Sequence, residues 1–530
     1  MRAALRLSGR IDGEQWLGRL ERLDLLQTGL GDWKLEQPAS IRLATAFDAA
    51  KVSPLCLASR PTRLCVQADW RAADGGTATL KLTKFVPDKV KKFLPPELAL
   101  QTSVDADAEA VLGPGNALKN ARALVTIAPG RVRWTGAAAP IELPVNGRLE
   151  AKLDAGSQLD GRLQFGIGGG DGIDAEVRTS GLTAEAGLSG RVRANFNRLD
   201  LLPALSPEIS RASGRVNADL TLGGKLSAPT FRGRAGLSGG GFELPALGLK
   251  LQDVAVLADG DGQGGLRFTG GARSGSGHVA LDGAWQPASQ RFRLHLSGED
   301  FQAADSSTLK LRVSPELTAQ LAEGTLRIDG EVHVPYALIK PPDRRNVVSP
   351  SDDVYIVGDA HAESTPMAIQ AQVRVTLGDD VRIDAPGFKA RLLGSLVVEQ
   401  VPPLAPRATG TLEVESGEYE VFGQKLDIDR GRLLFSGGPV DNPGLDLRAT
   451  RTVDDVIAGA RIGGSARRPQ LKLFSEPPMP DASVLSYLVF GQAPGANSGA
   501  QSALLLRAVT ALGTTGANSL TGGLGKSLGD

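Results

Sequence analysis

Residues 325–338 read TLRIDGEVHVPYAL, and the alternation of side chains in this stretch decides the fold. Successive side chains of a β-strand point to opposite faces, so the alternation predicts a strand with one apolar and one polar face. Gly330 interrupts the pattern, which leaves open either one long strand or two strands joined at that glycine. The predicted apolar face carries Leu326, Ile328, Val332, Val334, Tyr336 and Leu338.

The same alternation recurs along the chain between short glycine-rich turns such as GIGGGDG at 166–172. Turns at this spacing are typical of a meander of antiparallel strands. A degenerate repeat relates 238–256 to 415–433, which indicates a sheet built from similar hairpins. Further inward-facing apolar residues are predicted at Leu426, Ile428, Leu445 and Leu447. Short helices are predicted near Leu94–Leu100, Asp481–Phe490 and Gln501–Leu512.

An apolar face repeated over hundreds of residues can be buried in a closed barrel, in a sandwich, or inside a curled trough. A membrane barrel needs girdles of aromatic residues at both interfaces. The chain has 530 residues but only 4 Tyr, 5 Trp and 15 Phe, so such girdles are missing. We therefore predict an all-β fold, an elongated and curled β-sheet trough with an apolar lining and few short helices.

The charge of the chain is balanced, with 59 Lys and Arg against 59 Asp and Glu and no long run of one sign. Nucleic-acid phosphates favour a basic protein face, so we predict no nucleic-acid partner. No apolar run reaches the roughly 18 residues that a membrane-spanning helix requires. The first residues alternate like a strand and contain no signal-peptide core. Any export signal or anchor is therefore expected outside this chain.

The two cysteines, Cys56 and Cys65, stand in two alternating stretches separated by a plausible turn at Ser59–Thr62. Two strands that leave one turn bring such residues close enough for a disulfide. We predict that bond, and with it an oxidising compartment such as a periplasm. Two buried free thiols are the alternative.

The chemistry-bearing residues form no recognisable catalytic or metal site. Gly236–Gly240 fits the pattern G-x-S-x-G, but a nucleophile elbow is followed by a helix and here a strand pattern follows. Asp259 begins a calcium-loop pattern that lacks the closing glutamate. No second ligand at metal spacing accompanies any of the scattered histidines, which are His278, His295, His333 and His361. We predict no catalytic residue, no metal and no cofactor, and hence no enzyme.

The stretch from Ala337 to Gly491 resembles the C-terminal domain family of TamB proteins in the order of its motifs. The motifs are, in order, Pro341–Pro342, Ser351–Val357, Val375–Ile383, Ala408–Leu412, Gly417–Tyr419, Phe422–Leu426, Arg430–Gly437, Asp441–Pro443, Leu445–Ala449, Pro469–Pro477 and Leu485–Gly491. The first 330 residues are similar only through strand patterning and the region of Cys56, Cys65 and Trp70.

The resemblance implies a protein that spans the periplasm, with an inner-membrane anchor helix and a TamA-like outer-membrane barrel protein as partner. It implies a hydrophobic β groove that guides phospholipid toward the outer membrane, and a role in assembling nascent outer-membrane proteins and autotransporters. Both membrane-contacting ends are expected outside this chain. The implied organisation is a repeated groove segment at 1–330, a C-terminal domain that continues the groove at 331–480, and a short helical and flexible segment, cut short, at 481–530.

Three functions remain as hypotheses. In the first, the chain is a lipid conduit, and the inward-facing residues named above line its groove. In the second, it is an assembly scaffold whose exposed strand edges accept incoming strands by β-augmentation. In the third, it is a secreted β-solenoid adhesin, which the low aromatic content disfavours. The alternation by itself fits an ordinary β core as well as a conduit.

Overall fold

The computed structural model of the protein describes residues 2–136, 140–206, 208–322, 324–341, 368–421 and 424–491. It is 74% strand and 6% helical, and its strands belong to one large mixed sheet of 30 strands. The prediction of an all-β fold with few short helices is confirmed.

The strands alternate with short turns along the whole described chain. The first sixteen are β1 Arg2–Asp12, β2 Gln15–Thr28, β3 Gly31–Leu35, β4 Ala39–Ala44, β5 Ala49–Ser59, β6 Thr62–Arg71, β7 Gly75–Phe85, β8 Leu98–Gln101, β9 Val104–Leu112, β10 Leu118–Trp134, β11 Ile141–Leu153, β12 Leu159–Ile167, β13 Asp171–Thr179, β14 Leu188–Phe196, β15 Arg211–Gly224 and β16 Pro229–Leu244. The next are β17 Leu249–Asp261, β18 Leu266–Ser274, β19 Gly277–Gln286, β20 Arg291–Glu299, β21 Phe301–Asp305, β22 Leu309–Ala322, β23 Thr325–Ile339, β24 Ala368–Ala385, β25 Phe388–Gln400, β26 Arg407–Val421, β27 Gln424–Pro439, β28 Gly444–Val453, β29 Val456–Ser465 and β30 Arg468–Glu476.

Helices are few and short in this part of the chain. The two α-helices are α1 Leu202–Leu205 and α2 Asp481–Phe490. Segments of 3₁₀ helix lie at Pro87–Phe93, Pro114–Asn116, Pro245–Leu247 and Pro287–Ser289.

The chain divides into two compact units, which are described separately. The first unit comprises Met1–Pro245, Lys250–Ala272 and Gly283–Arg291. The second comprises Ala246–Leu249, Arg273–Asp282 and Phe292–Asp530.

The first unit is an antiparallel meander in which most strands pair with their neighbours in the chain. From β9 to β16, β9 through β15 each pair with the strand that follows. The predicted turn at Ser59–Thr62 joins β5 to β6 and pairs Ser59 with Thr62. The predicted glycine turn at 166–172 joins β12 to β13.

The stretch at 325–338 forms the single strand β23, which continues through Gly330. Gly330 has a φ of 140°, and a Cβ built there would lie 2.2 Å from the carbonyl oxygen of Glu316. Only glycine fits this close approach of two strands. β23 pairs antiparallel with β22 on one side and parallel with β24 on the other.

A β-bulge interrupts β23 between His333 and Tyr336. His333 pairs with Ser314 and Tyr336 pairs with Arg312, so three steps along β23 face two steps along β22. The extra residue reverses the alternation beyond it. Pro335 lies in this bulge, where its missing N–H leaves no ladder hydrogen bond unmade.

The helix predicted near Asp481–Phe490 is α2, with the same bounds. It ends at Gly491, whose φ of 69° is the left-handed conformation that glycine adopts readily at a helix end. The helix predicted near Leu94–Leu100 is wrong, because β8 occupies its second half. There Leu98 pairs with Trp134, and the prolines before β8 disfavour a helix. The helix predicted at Gln501–Leu512 lies outside the described residues.

The predicted boundary between 330 and 331 falls inside β23. The proposed division at 1–330, 331–480 and 481–530 therefore has no turn at its first boundary, and the division itself stays a prediction.

Candidate functional site

In the first unit the strand register places apolar side chains on one face of the sheet, here called the apolar face. Directly paired residues share a face, so a row can be followed from strand to strand. The central row contains no charged side chain across eleven strands. Its members are Leu57, Leu64, Leu82, Ala106, Val125, Leu149, Leu163, Ala175, Val192, Leu220 and Gly233.

The opposite face, here called the polar face, carries cross-strand ion pairs. Arg178 meets Asp160 at 2.7 Å, and Arg191 meets Asp219 at 2.7 Å. The hydrogen bond from Arg191, together with its positive charge, lowers the pKa of the Asp219 carboxyl below its usual value. The two faces therefore differ sharply. The polar face carries solvent-exposed ion pairs, whereas the apolar face has no charge along its central row.

The apolar face of the first unit is partly exposed and has no second layer over it among the described residues. Leu149, in the central row, is 45% exposed, and Leu80 beside that row is 40% exposed. In a sandwich or a closed core, side chains at these positions would be nearly inaccessible to solvent. An apolar surface left open in this way is typical of a binding surface.

Small side chains form a cavity in this face, here called the alanine cavity, of about 540 Å³. Its lining runs from Val52 on β5 to Leu159 on β12. Six strand-to-strand steps separate these strands, which would be roughly 29 Å in a flat sheet at about 4.8 Å per step. The cavity therefore extends across the apolar face of several strands of a curled sheet. The lining includes seven alanines, which are Ala68, Ala78, Ala108, Ala110, Ala121, Ala123 and Ala151.

Cys56 and Cys65 are directly paired across β5 and β6 and form a disulfide. Their neighbours Leu57 and Leu64 belong to the central row. Because faces alternate along a strand, the disulfide lies on the polar face. It therefore fastens the hairpin without occupying the apolar face.

In the second unit, most of the predicted inward-facing residues share one continuous face. Val332 pairs with Val375, and Leu447 pairs with Ile462. The same face holds the hydrophobic core cluster of this unit. Of the predicted residues, its buried members are Val334, Leu426, Ile428 and Leu447, and Val332 packs against them. Leu445 pairs with Leu433 on the same face and is half-buried.

The bulge in β23 divides the six residues predicted there. Leu326 and Ile328 pair with Leu321 and Ala319 and share the face of Val332. Tyr336 pairs with Arg312 and lies on the opposite face, where the Arg312 guanidinium stacks 4.9 Å from its ring centre. Leu338 follows Tyr336 onto that face, and Ala337 takes the inward position with 2% exposure.

The helix α2 covers one end of this face. It packs against β29 and β30, and Val484 and Leu488 are buried in the core cluster. Arg451 lies on the same face, opposite Ala458, and donates hydrogen bonds to the carbonyl oxygens of Tyr487 and Leu488 at 3.4 and 3.2 Å. The negative end of the helix dipole thus meets a cation.

The alanines of the cavity are functional candidates that the alternation pattern did not single out. They escape notice because alanine is weakly hydrophobic and occurs in every kind of structure. A signal is nevertheless present, since VDADAEAVL at 104–112 alternates alanine with acidic residues along β9.

Within the described residues, no cluster of three or more His, Cys, Asp or Glu side chains could hold a metal ion. Nor does any helix in those residues have the length and apolar character needed to cross a membrane. Gly236–Gly240 lies within β16, so its serine does not stand on a strand-to-helix turn.

Comparison with known proteins gives matches along nearly the whole chain. Residues 1–237 match the model of the TamB N-terminal domain, and residues 267–530 match that of the TamB C-terminal domain. The translocation and assembly module subunit TamB of Haemophilus influenzae is 25% identical over 572 aligned positions, which cover 99% of this chain. The chain spans 42% of the length of that relative. With matches to both TamB domain models and a TamB relative that aligns with 99% of this chain, the chain belongs to the TamB family.

Proposed function

We propose that the chain is part of a translocation and assembly module and guides phospholipid toward the outer membrane along its apolar face. The observation that carries the proposal is the partly exposed apolar face of the first unit, which continues across strands without a charge in its central row. Family membership supports a role in such a module. The lipid and the direction of its movement are parts of the proposal.

The physical basis is apolar burial. Each methylene of an acyl chain that leaves water for such a face gains about 0.8 kcal/mol. Uncharged positions along successive strands offer similar environments, so a chain can move along them without crossing a desolvated charge. The alanine cavity leaves room for a guest, because short side chains leave more space than leucines would. The headgroup would stay at the open, wet side.

The proposed location is the periplasm, in association with the inner membrane, and the proposed partner is a TamA-like outer-membrane barrel protein. The Cys56–Cys65 disulfide supports an oxidising compartment. The similarity to a translocation and assembly module subunit of Haemophilus influenzae supports an assembly partner. Nascent outer-membrane proteins are a further proposed partner.

The scaffold hypothesis is less well supported than the conduit. β-Augmentation needs a free strand edge. Strands β10 to β15 are hydrogen-bonded on both sides, so their edges are already used. Their apolar face, in contrast, remains accessible.

The test places a photocrosslinking amino acid at Leu149 on the apolar face of β11. We expect irradiation of the protein in cells to attach phospholipid there, detected by mass spectrometry of the purified adduct. The matched control is Arg148, the preceding residue, which points to the polar face and should capture little lipid. Equal capture at the two positions, or capture of barrel proteins at Leu149, would count against the conduit.

A second test fills the alanine cavity. Ala123→Trp should reduce lipid capture at Leu149, because the indole occupies space that an acyl chain would take. Leu124→Trp changes the next residue, which pairs with Asp107 and Glu150 on the polar face, and should leave capture unchanged. Similar capture in both variants would show that the cavity is not on the lipid path.

A further inference from the structure

The helix α2 covers part of the apolar face of the second unit, at β29 and β30. Ala449 and Ala458, which belong to the cluster beneath it, are 1% and 0% exposed. The strands there carry the same inward apolar pattern as the strands before them, with Leu447 paired to Ile462 and Ala460 paired to Leu473. The surface beneath α2 is therefore the same kind of surface to which acyl chains are proposed to bind.

One charged side chain stands on this surface. By register, the inward positions of β28, β29 and β30 are apolar or small, except Arg451. A guanidinium on an apolar face needs hydrogen-bond acceptors, because its desolvation is costly. The carbonyl oxygens of Tyr487 and Leu488, at the C-terminal end of α2, supply them.

This arrangement has the form of a latch. Carbonyl oxygens at a helix C-terminus carry partial negative charge, so an arginine there stabilises the helix end. The Tyr487 oxygen also accepts from the Gly491 N–H at 3.1 Å, and Arg451 adds a charged donor to it and to the Leu488 oxygen.

Packing of the buried Val484, Leu485 and Leu488, which acyl chains can replace, also holds α2. Just before the helix, the Met479 N–H donates to the Ser475 hydroxyl of β30 at 3.0 Å. α2 itself is apolar along most of its length, with Val489 and Phe490 partly exposed.

We propose that α2 is a displaceable lid that covers the apolar face at β28–β30, is latched by Arg451, and gives way to acyl chains on the same surface. The proposal rests on the lipid-guiding function above and adds its regulation. With the lid in place, the surface at β28–β30 is closed to lipid. With the lid displaced, Arg451 loses its carbonyl partners and stands beside the lipid.

The experiment uses the full chain with a photocrosslinking amino acid at Leu473, which lies on the covered face of β30. Arg451→Ala should raise phospholipid capture at Leu473 roughly tenfold, since a hydrogen bond to a charged group contributes about that much to the closed state. Arg374→Ala, which removes an exposed arginine from β24, serves as the control and should change nothing. Val484→Asp, which weakens the packing of α2 itself, should raise capture as Arg451→Ala does.

Hydrogen exchange separates lid release from unfolding. In Arg451→Ala, amides of α2 should exchange faster while those of β28 to β30 keep their protection. Faster exchange of α2 without increased capture at Leu473 would overturn the lid, as would unchanged exchange together with unchanged capture. Capture at Leu149 is measured in the same samples. Lipid at Leu149 with none at Leu473 in any variant refutes the lid alone, whereas no lipid at either position refutes the conduit.

Discussion

At the scale of single residues, apolar positions of the same alternating pattern can have opposite surroundings. Leu149 is exposed on the apolar face, while Val334 is 7% exposed within the core cluster of the second unit. Both are apolar positions of the same alternation, and the sequence does not distinguish them. What separates them is whether another layer lies above, which is a property of tertiary structure.

This difference predicts the effect of a charge. Leu149→Glu should leave the free energy of unfolding within about 1 kcal/mol of the unchanged protein, because the carboxylate remains in water. Val334→Asp should cost roughly 3 kcal/mol or more, because it buries a charge without a partner. Urea unfolding of the two variants provides the comparison. Similar losses in both would mean that Leu149 is covered.

The disulfide gives a second prediction at this scale. Replacing both Cys56 and Cys65 by serine should lower stability by about 2–3 kcal/mol, the value for a short closed loop. Lipid capture at Leu149 should persist, because the disulfide lies on the polar face. The readouts are urea unfolding and crosslinking of the same samples. Loss of capture in a folded variant would mean that the hairpin shapes the groove.

Sequence reasoning located most of the inward residues that share a face but missed the reversal at Tyr336 and Leu338. Alternation is a strictly local rule, and one extra residue changes its sense from that point on. Pro335 was an available signal, since proline inside a sheet is confined to edges, strand starts and bulges. The assignment of these residues to a lipid groove stays a prediction.

At the scale of elements, some hairpins and one helix were predictable because their signals are local. The turn at Ser59–Thr62 followed from its turn residues, and the helix Asp481–Phe490 followed from its helical pattern. The strand β8 was not predictable in this way. It exists because Leu98 pairs with the distant Trp134, which no local pattern records.

The cross-strand ion pairs predict a pH dependence. Arg191 lowers the pKa of Asp219 in the folded protein, so the pair stabilises the fold above the unfolded carboxyl value of about 3.9. That contribution disappears as the pH falls through the folded value. Asp219→Asn should therefore lower the urea midpoint slightly near pH 7 and by less at about pH 2. A loss of equal size at both pH values would exclude the ion pair as its cause.

At the scale of the whole molecule, the fold class was predictable from the sequence. Whether the apolar face is covered by another layer was not. The repeated alternation and low aromatic content led to an all-β trough, and the class is confirmed. Whether the apolar strip was an ordinary core or an open lining could not be read from the pattern. It depends on which surfaces meet another layer, and the two units differ in this respect among their described residues.

This difference predicts unequal protection from hydrogen exchange. Amides of β24 to β29, beneath the core cluster, should exchange slowly, since opening them exposes buried apolar surface. Amides of β9 to β14 should exchange faster, because little apolar area is newly exposed when they open. Mass-spectrometric exchange on the intact chain measures both. Equal protection would indicate an unrecognised second layer over β9 to β14.

The paired charges of the polar face also bear on how the chain reaches its native pairing. Shifting a strand by one residue would move its arginines and aspartates to the apolar face and its leucines to the polar face. A shifted strand would therefore lose its cross-strand ion pairs together with its apolar contacts. The charged side chains of the polar face thus specify the alignment of the strands without forming any part of the apolar face.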